Sequence, residues 1–313
     1  MSPPIVSARQ KARILAEALP FIRGYHAKTL IVRLGGEAMA DPVLKDGFAR
    51  DVALLRLVGM NPIVVHGGGW RIDLLLQQMG MEPRLHRGIR ITDEATMNVV
   101  EMVLGESNQE LVGLINKHGG KAVGISGQDG RFIHARPMAL PPDTDGGEAV
   151  DLGLVGDIER IDPDIIHLLL SREFIPVIMP IGVGTDGTAY HINSDLAAGQ
   201  LARTLHAETL ILMTNVPGVS GRDGKLAYVL TASEAEGLLR DGTVKGGMRP
   251  RLMAALQAVR EGVRSVHIID GSVGSALLLE VLTDSGVGTA VRSDDGPHFL
   301  EDSRNYFARA ADE

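Results

Sequence analysis

Two hydrophobic periods alternate along the chain. Short aliphatic runs, apolar at nearly every position, read as buried strands. Longer stretches with apolar residues three and four positions apart read as helices with one buried stripe. The run "TLIVRL" (29–34) is the first predicted strand, and "DPVLKDGFARDVALLRLVGM" (41–60) has helical spacing. The rhythm continues with strand and loop "NPIVVHGGG" (61–69), then helix "WRIDLLLQQMG" (70–80). Residues 93–120 hold one or two helices, entered through Thr92 or Asp93 as N-cap and left through Gly119. "KAVGISG" reads as a strand and "RFIHARPM" as short and β-like, before the polar Pro/Gly-rich loop 139–150. "PDIIHLLLSRE" is a helix with Pro163 in its first turn, where a missing N–H costs nothing, and "FIPVIMP" is a buried strand. In the last third, "SDLAAGQLARTLHA", "SEAEGLLRDG", "GGMRPRLMAALQAVREGV" and "ALLLEVLTDSG" read as helices. "ETLILMTNV", "RSVHIID" and "TAV" read as the strands between them.

Repeated strand–helix units predict an α/β protein: a three-layer αβα sandwich around a central, mainly parallel open sheet covered on both faces. Residues 1–28 hold an amphipathic helix that a minimal sheet domain does not need, and it reads as a possible oligomerisation arm. Residues 293–313 read as a C-terminal tail.

Composition narrows the class. The chain has 313 residues, 44% of them hydrophobic, enough for one large domain or two lobes. A diffuse net charge of −8 argues against general nucleic-acid or anionic-membrane binding, and no apolar run approaches membrane-spanning length. With no cysteine, disulfides and thiolate chemistry are excluded, and no secretory leader is recognisable, so a cytoplasmic protein is the expectation.

The candidate chemistry sits at strand ends. Gly35-Gly36 and Gly67-Gly68-Gly69 each follow a strand and precede a helix, where glycine lets backbone N–H groups approach a phosphate. In "HINSDLAAGQLA" (191–202), Asp195 starts a helix. "TNVPGVSGRDGK" (214–225) follows a strand, and "KGGMRPR" (245–251) places three cations at a helix entrance, which is unfavourable unless an anion sits among them. This last feature points to a polyphosphate. "GVGTDG" (182–187) fits a dinucleotide fingerprint, but a β-like segment follows it instead of a helix. The histidines show no zinc-binding spacing, so no protein-held metal is expected.

Taken in order, "LGGEAM", "VVHGGG", "GIRITDEATMNVVEMVL", "VDLGLVGDIERID", "INSD", "NVPGV", "KGGM" and "HIIDGSV" resemble the amino-acid kinase family, within it the acetylglutamate kinases, from about residue 11 to 292. The resemblance implies the amino-acid kinase fold, with an acceptor-binding N-lobe (29–190) and a nucleotide-binding C-lobe (191–292) over one continuous sheet. It implies phosphorylation of the side-chain carboxylate of N-acetyl-L-glutamate, or a related acid, by ATP with Mg2+ carried on the nucleotide, in arginine biosynthesis. Arg33, Gly35, Gly36, Asp195 and Arg251 would form the transfer site, with Asp195 orienting the catalytic cations. Gly68, Gly69, Arg90, His191 and Asn193 would bind the acceptor, Arg90 holding its α-carboxylate. Thr214, Asn215, Val216, Pro217, Gly218, Val219, Val244 and Lys245 would contact the nucleotide. His267, Glu280, Gly286 and Gly288 would surround an arginine effector in a homo-oligomer, dimer or hexamer.

The chain departs from the family pattern at defined points. Arg33 and Arg251 stand where the family carries its two transition-state lysines, His191 where it carries a substrate-binding asparagine, and Asn215 where it carries an aspartate. Trp70, the single tryptophan, replaces the proline after HGGG, and the lysine of the family's "GKVN" has no counterpart in "GESN" (105–108). Three functions follow: a carboxylate kinase acting on N-acetylglutamate; a weak or inactive homologue that senses arginine or partners an acetyltransferase; and a kinase of specialised metabolism with a different acceptor.

Overall fold

The computed structural model describes residues 7–140, 150–284 and 286–295. The chain begins with α1 (Ala8–Tyr25), β1 (Thr29–Leu34), α2 (Glu37–Ala40), α3 (Pro42–Leu57), β2 (Asn61–His66) and α4 (Gly69–Gln78). A short pair, β3 (Leu85–His86) and β4 (Ile89–Arg90), leads into α5 (Glu94–Lys117), β5 (Ala122–Ser126), β6 (Ile133–Pro137) and β7 (Gly156–Ile161). Then come α6 (Asp164–Ser171), β8 (Ile175–Met179), β9 (Ile181–Val183), β10 (Ala189–His191), α7 (Ser194–Thr204) and β11 (Thr209–Thr214). The last elements are β12 (Val229–Thr231), α8 (Ala232–Arg240), α9 (Met248–Arg260), β13 (Ser265–Asp270), α10 (Ala276–Leu282) and β14 (Gly288–Arg292).

Eight strands form one sheet in the order β12-β14-β13-β11-β1-β2-β8-β5. All neighbours are parallel except β13 and β14, so the expected parallel sheet carries two reversed strands, β14 and β12, at one edge. Its two halves meet where β1 pairs with β11, with Arg33 opposite Leu212. A second, four-stranded sheet, β10-β9-β6-β7, lies outside the main one; it absorbs the segments that read only as short and β-like.

The two-residue period of β1 decides what reaches the site. Leu30, Val32 and Leu34 enter a core built with Phe48 and Val52 of α3, Leu111 of α5 and Leu277 of α10. Ile31 points to the opposite layer, among Ala197 and Leu201 of α7 and Leu252 of α9. Arg33 is on that same face, one pair of residues further on, where the strand runs out beneath the start of α7. Its position follows from strand pleating.

Caps fix the helix starts. Asp41 accepts from the N–H groups of Val43 and Leu44, and Asp93, not Thr92, caps α5 by accepting from Thr96 at 2.9 Å. α5 is one unbroken helix of 24 residues, followed by Gly119 with φ 86°. α1 packs against α10, and Ile14, Leu15 and Leu19 on it are exposed. Among the described residues no helix is long and apolar enough to cross a membrane. The loop read at 139–150 and the tail at 293–313 lie mostly outside the described residues.

Candidate active site

The carboxyl ends of β1, β2 and β11 and the start of α7 converge on one point, where parallel α/β sheets place their ligands. Arg33 Nε lies 2.7 Å from Asp195 Oδ1 and donates to Ser194 Oγ at 3.1 Å, and Nη1 donates to the Met213 carbonyl at 3.3 Å. Burial pulls the Arg33 guanidinium below its ordinary range; the Asp195 charge opposes this and the Arg251 charge adds to it. Arg251 is therefore close enough for its charge to reach Arg33, although the two stand 218 positions apart in "IVRLGG" and "GGMRPR".

The first glycine pair is required by what lies against it. A Cβ at Gly35 would collide with Arg33 Nη1, because the guanidinium folds back over that residue. Gly36 has φ 67°, and a Cβ there would strike Asn215 Oδ1. A Cβ at Gly67 would lie 3.2 Å from Ser194 Oγ and 3.7 Å from Arg33 Nη2. The glycines thus leave room for side chains of this chain as well as for a ligand.

Of the residues expected to bind the acceptor, Arg90 reaches the β2–α4 turn and His191 lies close enough to feel its charge. Arg90 is buried, and its Nη1 donates to Asp73 Oδ1 at 2.6 Å while Nη2 donates to the Gly69 carbonyl at 3.2 Å. His191 is pushed down to about 4 by burial and then by the Arg90 charge, so it is a neutral imidazole at neutral pH. Asn193 caps α7: its Oδ1 accepts from the N–H groups of Asp195 and Leu196 at 2.8 and 3.2 Å, leaving Nδ2 as the end that can meet a ligand. Gly68 and Gly69 differ. A Cβ at Gly68 would lie 2.9 Å from Leu104, so glycine there lets α4 close on α5, whereas a Cβ at Gly69 would meet nothing within 4 Å.

The 214–219 loop folds on itself. Thr214 Oγ1 donates to the Val216 carbonyl at 3.0 Å and accepts from the Val216 N–H at 3.2 Å. Pro217 turns the chain into Gly218, and Val219 is buried with its N–H on Thr289 Oγ1 at 2.8 Å. Val219 and Val244 are core side chains, so only their backbones can face a nucleotide; Lys245 is exposed. Of the three cations expected around an anion at α9, Arg249 is turned elsewhere, donating from Nη1 to the Leu239 carbonyl at 2.8 Å.

A second cluster stands apart from this centre. His267 Nδ1 is 2.5 Å from Glu280 Oε1, and Glu280 Oε2 accepts from the Val287 N–H at 2.7 Å. Burial alone would raise the Glu280 carboxyl, but the His267 bond and the Val287 and Gly288 N–H groups outweigh it and hold it low. Gly286 and Gly288 are both at this cluster or beside it: a Cβ at Gly286 would lie 2.9 Å from Glu280 Oε2, and one at Gly288 would strike the Ile268 carbonyl. Tyr25 of α1, pushed up to about 12 mainly by burial, feels the Glu280 charge as well.

Sequence reasoning missed Ser194 and Asp73. Ser194 is the third residue of "INSD" and reads as a helix-start serine; Asp73 lies three residues past Trp70, on a helix face with no distinguishing pattern. Only the fold shows that they hold Arg33 and Arg90.

The Amino acid kinase family matches this sequence over residues 28–270. The chain belongs to the amino acid kinase family. Among relatives of this amino acid kinase, the acetylglutamate kinase of Chromobacterium violaceum is 58% identical over 287 residues, covering 91% of this chain and 99% of the relative. That of Nitrosomonas eutropha is 54% identical, covering 92% and 98%. Among solved structures, N-acetylglutamate synthase from Neisseria gonorrhoeae, complexed with coenzyme A and N-acetyl-glutamate, superposes with TM-score 0.81 at 27% identity. That match covers 90% of this chain and 63% of the synthase, so the kinase spans less than two thirds of it. Carbamate kinase from Giardia, at 18% identity and TM-score 0.62, shares the fold.

Proposed function

We propose that this kinase transfers the γ-phosphoryl group of ATP to the side-chain carboxylate of N-acetyl-L-glutamate, a step of arginine biosynthesis. The reading is carried by near end-to-end identity of 52–58% to acetylglutamate kinases, with two glycine turns and two arginines converging at the sheet's carboxyl edge.

The chemistry needs no general base, since the acceptor carboxylate is ionised at neutral pH. The task is to bring two anions together and spread the transition-state charge over donors already in place. Arg90 holds the acceptor's α-carboxylate beside Gly68 and Gly69, with His191 and Asn193 closing the same pocket. Gly35 and Gly36 present backbone to the transferring group, and Arg33 and Arg251 supply the cations. Asp195 orients Arg33. The nucleotide runs along 214–219 and 244–245. Mg2+ carried on the nucleotide phosphates would neutralise charge there. In this reading residues 29–190 form the acceptor lobe and 191–292 the nucleotide lobe. The His267–Glu280 cluster is the arginine effector site, and α1, with residues 1–28, is an oligomerisation arm.

Formation of acyl phosphate, trapped as a hydroxamate, tests the function: ATP-dependent hydroxamate with N-acetyl-L-glutamate is expected. A second reading rests on the Arg33–Asp195 pair, which ties a transfer-site cation to the carboxylate meant to orient it. If no hydroxamate forms, and arginine but not Mg-ATP raises the melting temperature, the protein is an arginine-binding regulator. Hydroxamate with another acid and none with N-acetylglutamate points instead to a kinase with a different acceptor.

A further inference from the structure

His66 ends β2, directly before the glycine turn, and its ring is wholly buried. Nδ1 lies 3.2 Å from the Gly67 carbonyl and Nε2 lies 3.1 Å from Asn108 Nδ2. Asn108, on α5, is itself buried and donates from Nδ2 to the Val177 carbonyl of β8 at 2.8 Å. That bond settles the chain of donors. The amide nitrogen faces a carbonyl, so Nδ2 has its second hydrogen for His66 Nε2, which must accept. Nδ1 therefore carries the hydrogen and donates to the Gly67 oxygen. Gly124 makes room for Asn108, since a Cβ there would collide with Oδ1.

The consequence falls on the next peptide group. In a planar trans peptide the C=O and the following N–H point in opposite directions. Drawing the Gly67 carbonyl toward the buried ring turns the Gly68 N–H away from it. Among the described residues that N–H has no hydrogen-bond partner, whereas the neighbouring Gly67 N–H is spent on the Leu34 carbonyl at 3.1 Å. The other flank of Gly67 looks onto Ser194 and Arg33.

We propose that His66, set by Asn108, is a positioning residue that holds the Gly67–Gly68 peptide so that the Gly68 N–H is presented to the acceptor carboxylate. The inference deepens the acceptor reading above and rests on it for the identity of the ligand. His66 touches neither substrate and takes no proton in the reaction. Its ring is a fixed donor that spares the glycine turn from reorienting when the anion arrives.

Three proteins test this: wild type, His66→Asn, whose Nδ2 reproduces the Nδ1 donor, and His66→Phe, which keeps bulk without a donor. Ring 15N spectra come first because they need no ligand. A neutral Nδ1–H tautomer for His66 is expected; an Nε2–H tautomer or a charged ring overturns the proposal whatever the enzyme does. N-acetyl-L-glutamate is then titrated against the fluorescence of Trp70, which adjoins Gly69, and KM and kcat are measured. His66→Phe is expected to weaken acceptor binding and raise its KM by about 10- to 100-fold, with KM for ATP unchanged, and His66→Asn to recover most of the loss. Unchanged acceptor KM in His66→Phe, or equal losses in both variants with a matching fall in melting temperature, overturns it. A wild type that binds and phosphorylates no N-acetylglutamate overturns the acceptor reading instead, and the tautomer result still decides whether the turn is held from below.

Discussion

Two arginines, Arg90 buried and Arg33 largely so, face two aspartates at the glycine turns, and they are held differently. Arg33 is fixed on several sides: Asp195 and Ser194 at Nε, the Met213 carbonyl at Nη1, and Gly35 beneath the guanidinium. Its partner Asp195 is only 20% exposed at the first turn of α7, which the Asn193 cap locks in place. Arg90 is more deeply buried, but its partner Asp73 is 35% exposed. A fixed cation suits a transition state, where charge must be met without reorganisation. A cation whose carboxylate partner is open to solvent suits a ligand that brings its own carboxylate and takes that partner's place.

The largest effect expected from breaking this contrast is at Arg33. Arg33→Ala should lower kcat by about 10³-fold or more, the scale on which cationic groups act in phosphoryl transfer, with little change in acceptor affinity; steady-state kinetics with saturating ATP checks it. Arg90→Ala should do the reverse, raising the acceptor KM by about 100-fold through loss of a charge-assisted contact, with kcat much less affected.

A stability effect comes next. Burial pushes His66 down to about 4, so the folded state resists the proton that the unfolded chain takes up near 6.5. The unfolded state then binds more protons between those values, and stability present above about pH 6.5 is lost as pH falls toward 4, by roughly 3 kcal/mol for His66, with a loss of the same sign from His191, also held at about 4. Asp51 works against this trend: burial raises it to about 6, which favours the folded state as pH falls from 6 toward 4. Urea midpoints between pH 7 and 4.5 should therefore fall less steeply in His66→Asn than in the wild type. The smallest effect is at Asp73. If the acceptor's carboxylate displaces it, Asp73→Asn leaves the acceptor KM unchanged or up to about threefold lower; a tenfold rise would mean that Asp73 instead positions Arg90.

The sheet was readable from sequence because its strands are buried on both faces and stand out as aliphatic runs, "TLIVRL" and "ETLILMT" above all. The four-stranded side sheet was hardly readable, because β9 and β10 are three residues each and carry no period. Site residues announced by glycine or by a helix start, such as Gly35, Gly36 and Asp195, were legible. Their partners were not. Ser194 meets Arg33 across 161 positions and Asn108 meets His66 across 42, and nothing local in a serine or an asparagine records that. The roles of Gly35 and Gly68 also changed with the fold, since one makes room for a guanidinium of the chain itself and the other for Leu104.

The hydroxamate assay run on wild type and on Arg33→Lys/Arg251→Lys tests the central claim most directly. A working carboxylate kinase with fixed guanidinium cations predicts ATP-dependent N-acetylglutamyl hydroxamate from the wild type, and a lower rate from the double variant, because an ammonium cannot keep the contacts of Arg33 to Asp195, Ser194 and Met213 at once. No hydroxamate from the wild type, with a large gain in the double variant, would contradict it.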